Sequence, residues 1–212
     1  MADDTMSYPV KLSIDYPDKP LNRLTTFFRI IVAIPIFVIL ALLTGAIFSF
    51  RMSHHVDYRQ FIHIGYVFLP VVLMLLFRRK YPRWWFDWNI ALVKFCFRVS
   101  AYLLLLRDEY PSTDEDQAVH VEIPYPDANK DLNRWMPLVK WFLAIPHFFV
   151  LCFLFVGVLV CIFIAWFAIL FTGRYPRSLF DFVVGVQRWS LRVNSYCILL
   201  VTDKYPPFTL AD

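Results

Sequence analysis

The stretch WFLAIPHFFVLCFLFVGVLVCIFIAWFAILF, residues 141–171, is 31 residues long and carries no charged side chain. As one helix it would be about 46 Å long, whereas the hydrocarbon core of a membrane is about 30 Å thick. Basic residues lie on both sides of it, and basic flanks favour the cytoplasm. These observations predict a membrane hairpin over about 137–171 that turns near Gly157. Two forms stay open, a fully spanning hairpin and a re-entrant one.

Two further apolar runs, 30–50 and 61–77, predict a first hairpin over about 28–77. Arginines precede the first run, and the basic cluster Arg78–Arg79–Lys80 follows the second. By the positive-inside rule the chain starts in the cytoplasm, crosses out and returns. The expectation is therefore a multi-pass protein of the bacterial inner membrane, with four helices in two hairpins and both termini in the cytoplasm.

The composition agrees with a membrane protein. Hydrophobic residues make up 59% of the 212 residues, aromatic residues 19% and charged residues only 18%. Soluble domains are about 45–50% apolar and about 25% charged. Disorder and an ordinary soluble enzyme are therefore excluded, and nucleic-acid binding is not expected because the cations are interleaved with membrane-seeking aromatic residues.

The chain also reads as a tandem repeat. Leu21-Asn22-Arg23 matches Leu132-Asn133-Arg134 at an offset of 111 residues. At the same offset, Ala33-Ile34-Pro35 matches Ala144-Ile145-Pro146. After the apolar runs, Tyr81-Pro82-Arg83 matches Tyr175-Pro176-Arg177 at an offset of 94. The difference of 17 residues falls on the connection near residues 50–66. We predict unit 1 over 8–111, an acidic linker over 112–118 and unit 2 over 119–208.

Each unit is predicted to have the same order of elements. Alternation in Val10–Asp15 and in Val119–Ile123 predicts a strand at the start of each unit. After the membrane hairpin comes an amphipathic helix in the headgroup layer, over about 83–98 or 177–192, with its aromatic side toward the acyl chains. A second strand, 101–106 or 196–201, closes the unit. The fold class is therefore a mainly α membrane protein with a tandem duplication and a small cytoplasmic β-sheet.

The second unit resembles a known family through Gly173-Arg174-Tyr175-Pro176-Arg177 and through Asp203-Lys204-Tyr205-Pro206-Pro207-Phe208. It is similar to the bacterial integral membrane proteins grouped as domain of unknown function 4389. The first unit departs from that pattern, since Arg78-Arg79 replaces Thr172-Gly173. The resemblance implies a bacterial cell-membrane location and brings no known activity.

Repeated cations on the two amphipathic helices are the main candidate site. The spacing predicts structural ion pairs Arg83–Asp87 and Arg177–Asp181, one helical turn apart. Cations at headgroup depth also suit lipid phosphates or an acidic segment of a partner. The candidate lipid-binding or partner-binding residues are Arg83, Lys94, Arg98, Arg177, Arg188 and Arg192.

Histidines supply two weaker candidates. His54, His55 and His63, with Asp57, include the ligand types that bind zinc or copper, but their spacing matches no zinc signature, and an exposed polar loop is the alternative. His147 lies within the third apolar run and is interpreted as a hydrogen-bonded packing residue. No cofactor is predicted.

Three hypotheses for function follow. The first is a non-enzymatic scaffold or accessory subunit of a membrane complex, whose partners are phospholipids and other membrane subunits. The second is a protein that binds or handles anionic lipid in a cleft between the repeats. The third, weaker, hypothesis is a metal-dependent membrane enzyme that uses the loop around His54.

Overall fold

The computed structural model describes residues 8–44, 71–78, 80–113, 115–128 and 132–211, without the side chains of 41–44. The protein is mainly helical, as predicted. Its elements in chain order are β1 (Lys11–Ile14), α1 (Arg23–Val32), α2 (Ile34–Thr44), α3 (the helical residues 71–78), α4 (Arg83–Leu103), β2 (Val119–Glu122), α5 (Met136–Thr172) and α6 (Arg177–Cys197). The turn of the predicted first hairpin falls in 45–70, outside the described residues.

The two short strands form one antiparallel sheet, and their alternation is as predicted. Leu12 lies opposite Val121 at the centre of the pairing, with Lys11 opposite Glu122 on one side. Leu12 and Val121 point into the core, whereas Lys11 and Glu122 are exposed. One strand comes from each half of the chain, so the sheet joins the two halves.

The strands expected over 101–106 and 196–201 do not form, and that prediction is wrong. Helix α4 continues to Leu103 and helix α6 to Cys197, after which Leu105 (φ 65°) and Leu200 (φ 57°) reverse the chain. A short apolar run has the same composition at the buried end of a helix as in a strand, so composition alone does not distinguish these two structures. Within the described residues the sheet therefore has two strands rather than four.

Helix α5 corrects the second predicted hairpin, because residues 136–172 form a single helix of 37 residues. Gly157 does not turn the chain. A Cβ at that position would meet the Phe182 ring at 3.3 Å, so the glycine permits close packing of α6. One glycine inside a helix costs only about 1 kcal/mol relative to alanine, and no polar turn residue accompanies it. The helix ends at Gly173, which adopts a left-handed φ of 73°.

Only one stripe of α5 is buried in the protein. It recurs at helical spacing and comprises Pro137, Lys140, Ala144, His147, Leu151, Val158, Ala165 and Ile169. The remaining faces are apolar and largely exposed; Phe142 and Phe171, for example, are 73% and 77% exposed. Helix α5 is long and apolar enough to cross a membrane, and the bent pair α1–α2, with a 41° angle, is the other such candidate among the described residues.

The two predicted amphipathic helices exist, but they are not placed alike. In α4, Trp84 and Trp88 are exposed, as expected for aromatic residues that meet lipid. In α6 the aromatic residues Phe180 and Trp189 are buried, because this helix packs between α5 and β1. The prediction that the aromatic side of α6 faces acyl chains is therefore wrong, since protein covers it.

Candidate functional site

Three of the six predicted binding cations hold the chain together instead of facing outward. Arg98 donates to the Ser112 carbonyl at 2.8 Å, and Arg192 donates to the Ala211 carbonyl at 2.8 Å. These two side chains are 8% and 3% exposed. Arg188 donates to the carbonyls of Leu12 and Leu210, at 3.1 and 3.0 Å. The structure therefore does not arrange them around an open cleft.

The other three cations, Arg83, Lys94 and Arg177, are exposed. The Arg83 guanidinium lies 5.5 Å from the centre of the Tyr125 ring, and the Arg177 guanidinium lies 4.0 Å from the centre of the Tyr16 ring. Such cation–π contacts contribute about 0.5–1 kcal/mol at exposed sites.

The ion pairs predicted for these two arginines do not form. In the part of the chain that the structure describes, the ion pairs with N and O atoms within 4 Å of each other do not include Arg83–Asp87 or Arg177–Asp181. The aromatic partners explain why. Each guanidinium reaches across to a tyrosine contributed by the opposite half of the chain, away from the carboxylate on its own helix.

A buried cation that the sequence did not reveal lies in the last turn of α1. Arg29 is 3% exposed and forms an ion pair with Asp108. It also donates to the carbonyls of Tyr102 and Arg107, at 2.6 and 2.8 Å, and lies 4.5 Å from the centre of the Tyr102 ring. Asp108 in turn accepts from the backbone N–H of Asn22 at 2.6 Å.

Lys140 repeats this arrangement in the second half. Its ammonium is fully buried, lies 2.7 Å from Asp203 and donates to the Thr202 carbonyl at 2.8 Å. Asp203 accepts from the backbone N–H of Asn133 at 2.5 Å. The Tyr196 ring centre lies 5.1 Å from the ammonium. We call the Arg29–Asp108 and Lys140–Asp203 groups the two buried cation sites.

A sequence signal for these sites was present. Arg29 and Lys140 both come seven residues after the aligned asparagines Asn22 and Asn133, and both aspartates precede an aligned Tyr-Pro pair. The signal could not reveal the pairing itself, because 79 residues separate Arg29 from Asp108. Each buried charge needs its partner, since removing one member of a buried pair costs about 3–5 kcal/mol.

Contacts between the halves occur in matched pairs too. The Tyr16 hydroxyl donates to the Tyr175 carbonyl, and the Tyr125 hydroxyl donates to the Tyr81 carbonyl. Tyr16 and Tyr125 each lie just after the strand of their half, and each reaches the Tyr-Pro-Arg turn of the other half. The start of α1 also meets the end of α5, and the start of α5 meets the end of α3. The bonds are Leu21 N–H to the Gly173 carbonyl, 2.8 Å, and Arg134 Nε to the Leu76 carbonyl.

His147 is the hydrogen-bonded packing residue that the sequence indicated. Its imidazole is fully buried, and its Nδ1 accepts from the Trp189 indole N–H at 3.1 Å. The ring stacks on Phe208, with 4.0 Å between centres. Because Nδ1 is an acceptor, the ring proton of the neutral imidazole resides on Nε2.

The histidines proposed as metal ligands, His54, His55 and His63, lie outside the described residues. Within the described segments there is no group of three or more His, Cys, Asp or Glu side chains that could hold a metal ion.

The cysteines show a gradient of burial. Cys197 is buried, and burial raises the pKa of its thiol to about 11. Cys152 is exposed on the apolar outside of α5. Thiolates are the reactive form of cysteine, so burial keeps Cys197 in its less reactive thiol form.

The comparisons with known proteins bear on the second half of the chain. No curated protein and no solved structure matches. The model of the family described as domain of unknown function (DUF4389) matches residues 134–209, which run from the start of α5 to the segment after α6. Those residues carry one of the two buried cation sites, and the match supports the family that the sequence resembles.

Proposed function

We propose that the protein is a non-enzymatic integral protein of the bacterial inner membrane that acts as a scaffold or accessory subunit of a membrane complex. The observation that carries the membrane assignment is the exposed face of α5, which is apolar from Leu138 to Phe171. An exposed apolar surface of this size marks an interface with lipid or with another protein.

The internal polar contacts favour a structural role over a catalytic one. Arg29 and Lys140 are held by their own aspartates, and Arg98, Arg188 and Arg192 donate to main-chain carbonyls. These groups fix the connection between helices and strands. A scaffold needs such rigidity, whereas an active site needs polar groups directed at a substrate.

We also infer that the two halves are copies of one unit, related by an approximate two-fold axis through the Leu12–Val121 pair. The matched buried cation sites and the reciprocal tyrosine contacts support this. The sheet then needs one strand from each copy, so neither copy forms it alone. Four helices in two hairpins are no longer possible, because α5 is one helix. A multi-pass topology stays a prediction that rests on the first hairpin, over about 28–77.

Alkaline extraction tests the membrane assignment. Phe142, Phe149 and Phe153 lie on the exposed face of α5, and replacing all three with Glu should move the protein from the membrane pellet to the supernatant after a carbonate wash. Ser178→Glu, at an exposed polar position of α6, is the control and should stay in the pellet. A wild-type protein that the wash releases would contradict the assignment.

Cross-linking in native membranes, followed by mass spectrometry, tests the scaffold role. A scaffold predicts one or more membrane proteins cross-linked at constant sites and retained in gentle detergent at fixed stoichiometry. Phospholipid retained at fixed stoichiometry, with no protein, would instead indicate lipid handling.

Anionic-lipid binding is a second candidate, favoured by the exposure of Arg83 and Arg177 at matched positions of the two halves. Reversing both charges to Glu should weaken binding of the detergent-solubilised protein to immobilised phosphatidylglycerol at least several-fold. Lys11→Glu, on the exposed face of β1, is the matched control. Equal binding by all three proteins would remove this candidate.

A further inference from the structure

We propose that α5 lies flat within one leaflet of the membrane, parallel to its surface, and does not cross it. The proposal rests on the proposed function, in that it takes the protein to be embedded in a membrane. In this arrangement one lipid monolayer contacts every face of α5 except the buried stripe.

The first argument is that the two ends of α5 lie at equivalent places in the molecule. Its start carries the Lys140 site, with Asn133 just before the helix. Its end, at Gly173, accepts a hydrogen bond from Leu21, the residue next to Asn22 of the Arg29 site. The helix therefore runs from one buried cation site to the other, and the two-fold axis exchanges these sites.

The direction of that axis decides the depth of the two ends. An axis along the membrane normal leaves both sites at one depth, so α5 must lie in the plane. A spanning α5 needs an axis in the membrane plane instead, which would place the β1–β2 pair at the bilayer centre. One face of that pair is exposed and carries Lys11, Ser13, His120 and Glu122. Charged side chains and open strand edges are not tolerated against lipid at that depth.

Helix α6 supports the same orientation. Phe182 of α6 reaches Gly157, and Trp189 hydrogen-bonds His147, so α6 runs antiparallel beside the first two-thirds of α5. Asp181, on the outward side of α6, is exposed. A spanning α5 would draw this carboxylate and the neighbouring arginines into the hydrocarbon, whereas an in-plane α5 leaves them on the aqueous side.

The dimensions and the flanking charges fit an in-plane helix. A helix of 37 residues is about 55 Å long, nearly twice the roughly 30 Å of a hydrocarbon core, but its diameter of about 10–12 Å fits one leaflet. Arg134 and Arg174 flank its two ends. Cations at both ends belong on one side of the membrane, and an in-plane helix satisfies that rule without a turn.

Spin-label depth measurements test the proposal. The face opposite the buried stripe consists of Phe142, Phe149, Phe153, Val160 and Phe171. Each is replaced in turn by a labelled cysteine in a variant whose four native cysteines are alanine, reconstituted in phosphatidylcholine–phosphatidylglycerol vesicles. Depth is read from the relative accessibility to oxygen and to a water-soluble nickel chelate. A label at Ser178, exposed on α6, is the aqueous control.

The in-plane helix predicts that all five labels lie at one depth within the hydrocarbon. A spanning helix predicts that labels at 142 and 171 are shallow while those at 153 and 160 are deep; this result would overturn the proposal and leave the membrane assignment intact. Labels that all report water would overturn the membrane assignment itself. If the cysteine-free variant fails to fold, polarised infrared spectra in oriented bilayers decide instead, recorded on protein of natural sequence in which only residues 132–211, with α5 and the antiparallel α6, carry carbonyl ¹³C. They should place the helical amide I moments parallel to the membrane plane, and moments along the normal would contradict the proposal.

Discussion

The two halves of the molecule each hold a partly buried carboxylate, but they pair it with different buried cations. In the first half, the guanidinium of Arg29 contacts Asp108 and two main-chain carbonyls. In the second half, the ammonium of Lys140 contacts Asp203 and one carbonyl. Both halves therefore place a positive charge beside an aspartate that accepts a hydrogen bond from the backbone N–H of an asparagine. The forked geometry of arginine adds contacts only in the first half.

The largest expected effect comes from removing the charge in the second half. Lys140→Met keeps most of the side-chain volume but leaves Asp203, which is 21% exposed, without its cation. Removing one member of a buried pair costs about 3–5 kcal/mol, and we expect a loss of stability toward the lower end because Asp203 keeps some solvent. Thermal unfolding in detergent micelles, followed by circular dichroism, measures it.

Lys204→Met is the control for that experiment, because Lys204 is an exposed neighbour of Asp203 in sequence. Its effect should stay within about 0.5 kcal/mol, as is usual for a surface substitution. Equal stability of the wild type and both variants would show that the charge at Lys140 is dispensable.

A second difference between the halves is the aromatic cluster around His147. The aligned residue of the first half is Ile36, which packs against Phe95 and Val99 without a hydrogen bond. In the second half, His147→Leu would leave the Trp189 indole N–H buried and without its acceptor. An unsatisfied buried donor costs about 1–3 kcal/mol, so we expect a loss of that size.

A double-mutant cycle with Trp189→Phe separates the hydrogen bond from packing. Once the indole N–H is absent, His147→Leu should cost at least about 1 kcal/mol less than it does in the wild type. An equal cost in both backgrounds would show that the contact with Phe208, rather than the hydrogen bond, fixes this cluster.

Arg29→Lys should have a smaller effect, because it places at the first buried cation site the same side chain, a lysine, that the second site has. The charge beside Asp108 is kept, but an ammonium cannot reach Asp108 and the carbonyls of Tyr102 and Arg107 together. We expect a loss of about 1–2 kcal/mol in the same unfolding measurement, from one or two net hydrogen bonds. A loss as large as that of Lys140→Met would indicate that geometry, not charge, dominates at this site.

Local sequence patterns predicted the elements that depend on local chemistry. The alternation around Leu12 and Val121 predicted both strands, and the Tyr-Pro-Arg turns predicted where α4 and α6 begin. The second hairpin failed for a physical reason. Its prediction assumed that an apolar run longer than the hydrocarbon core must turn back on itself, whereas residues 136–172 continue as one helix with one stripe packed on protein. The buried cation sites were missed because distant residues complete them.

The last comparison concerns aligned cations that the fold uses differently, and its control variant has the smallest expected effect. Arg188 of α6 bonds the carbonyls of Leu12 and Leu210, whereas Lys94, at the aligned position of α4, is exposed. Arg188→Ala should therefore cost about 1–2 kcal/mol, while Lys94→Ala should stay within about 0.5 kcal/mol. Urea unfolding of the two variants in parallel measures the difference. Because Arg188 joins α6 to β1 and to the segment after α6, its loss should also speed amide exchange at Leu12, and exchange that stays unchanged would show that Arg188 does not hold the strand.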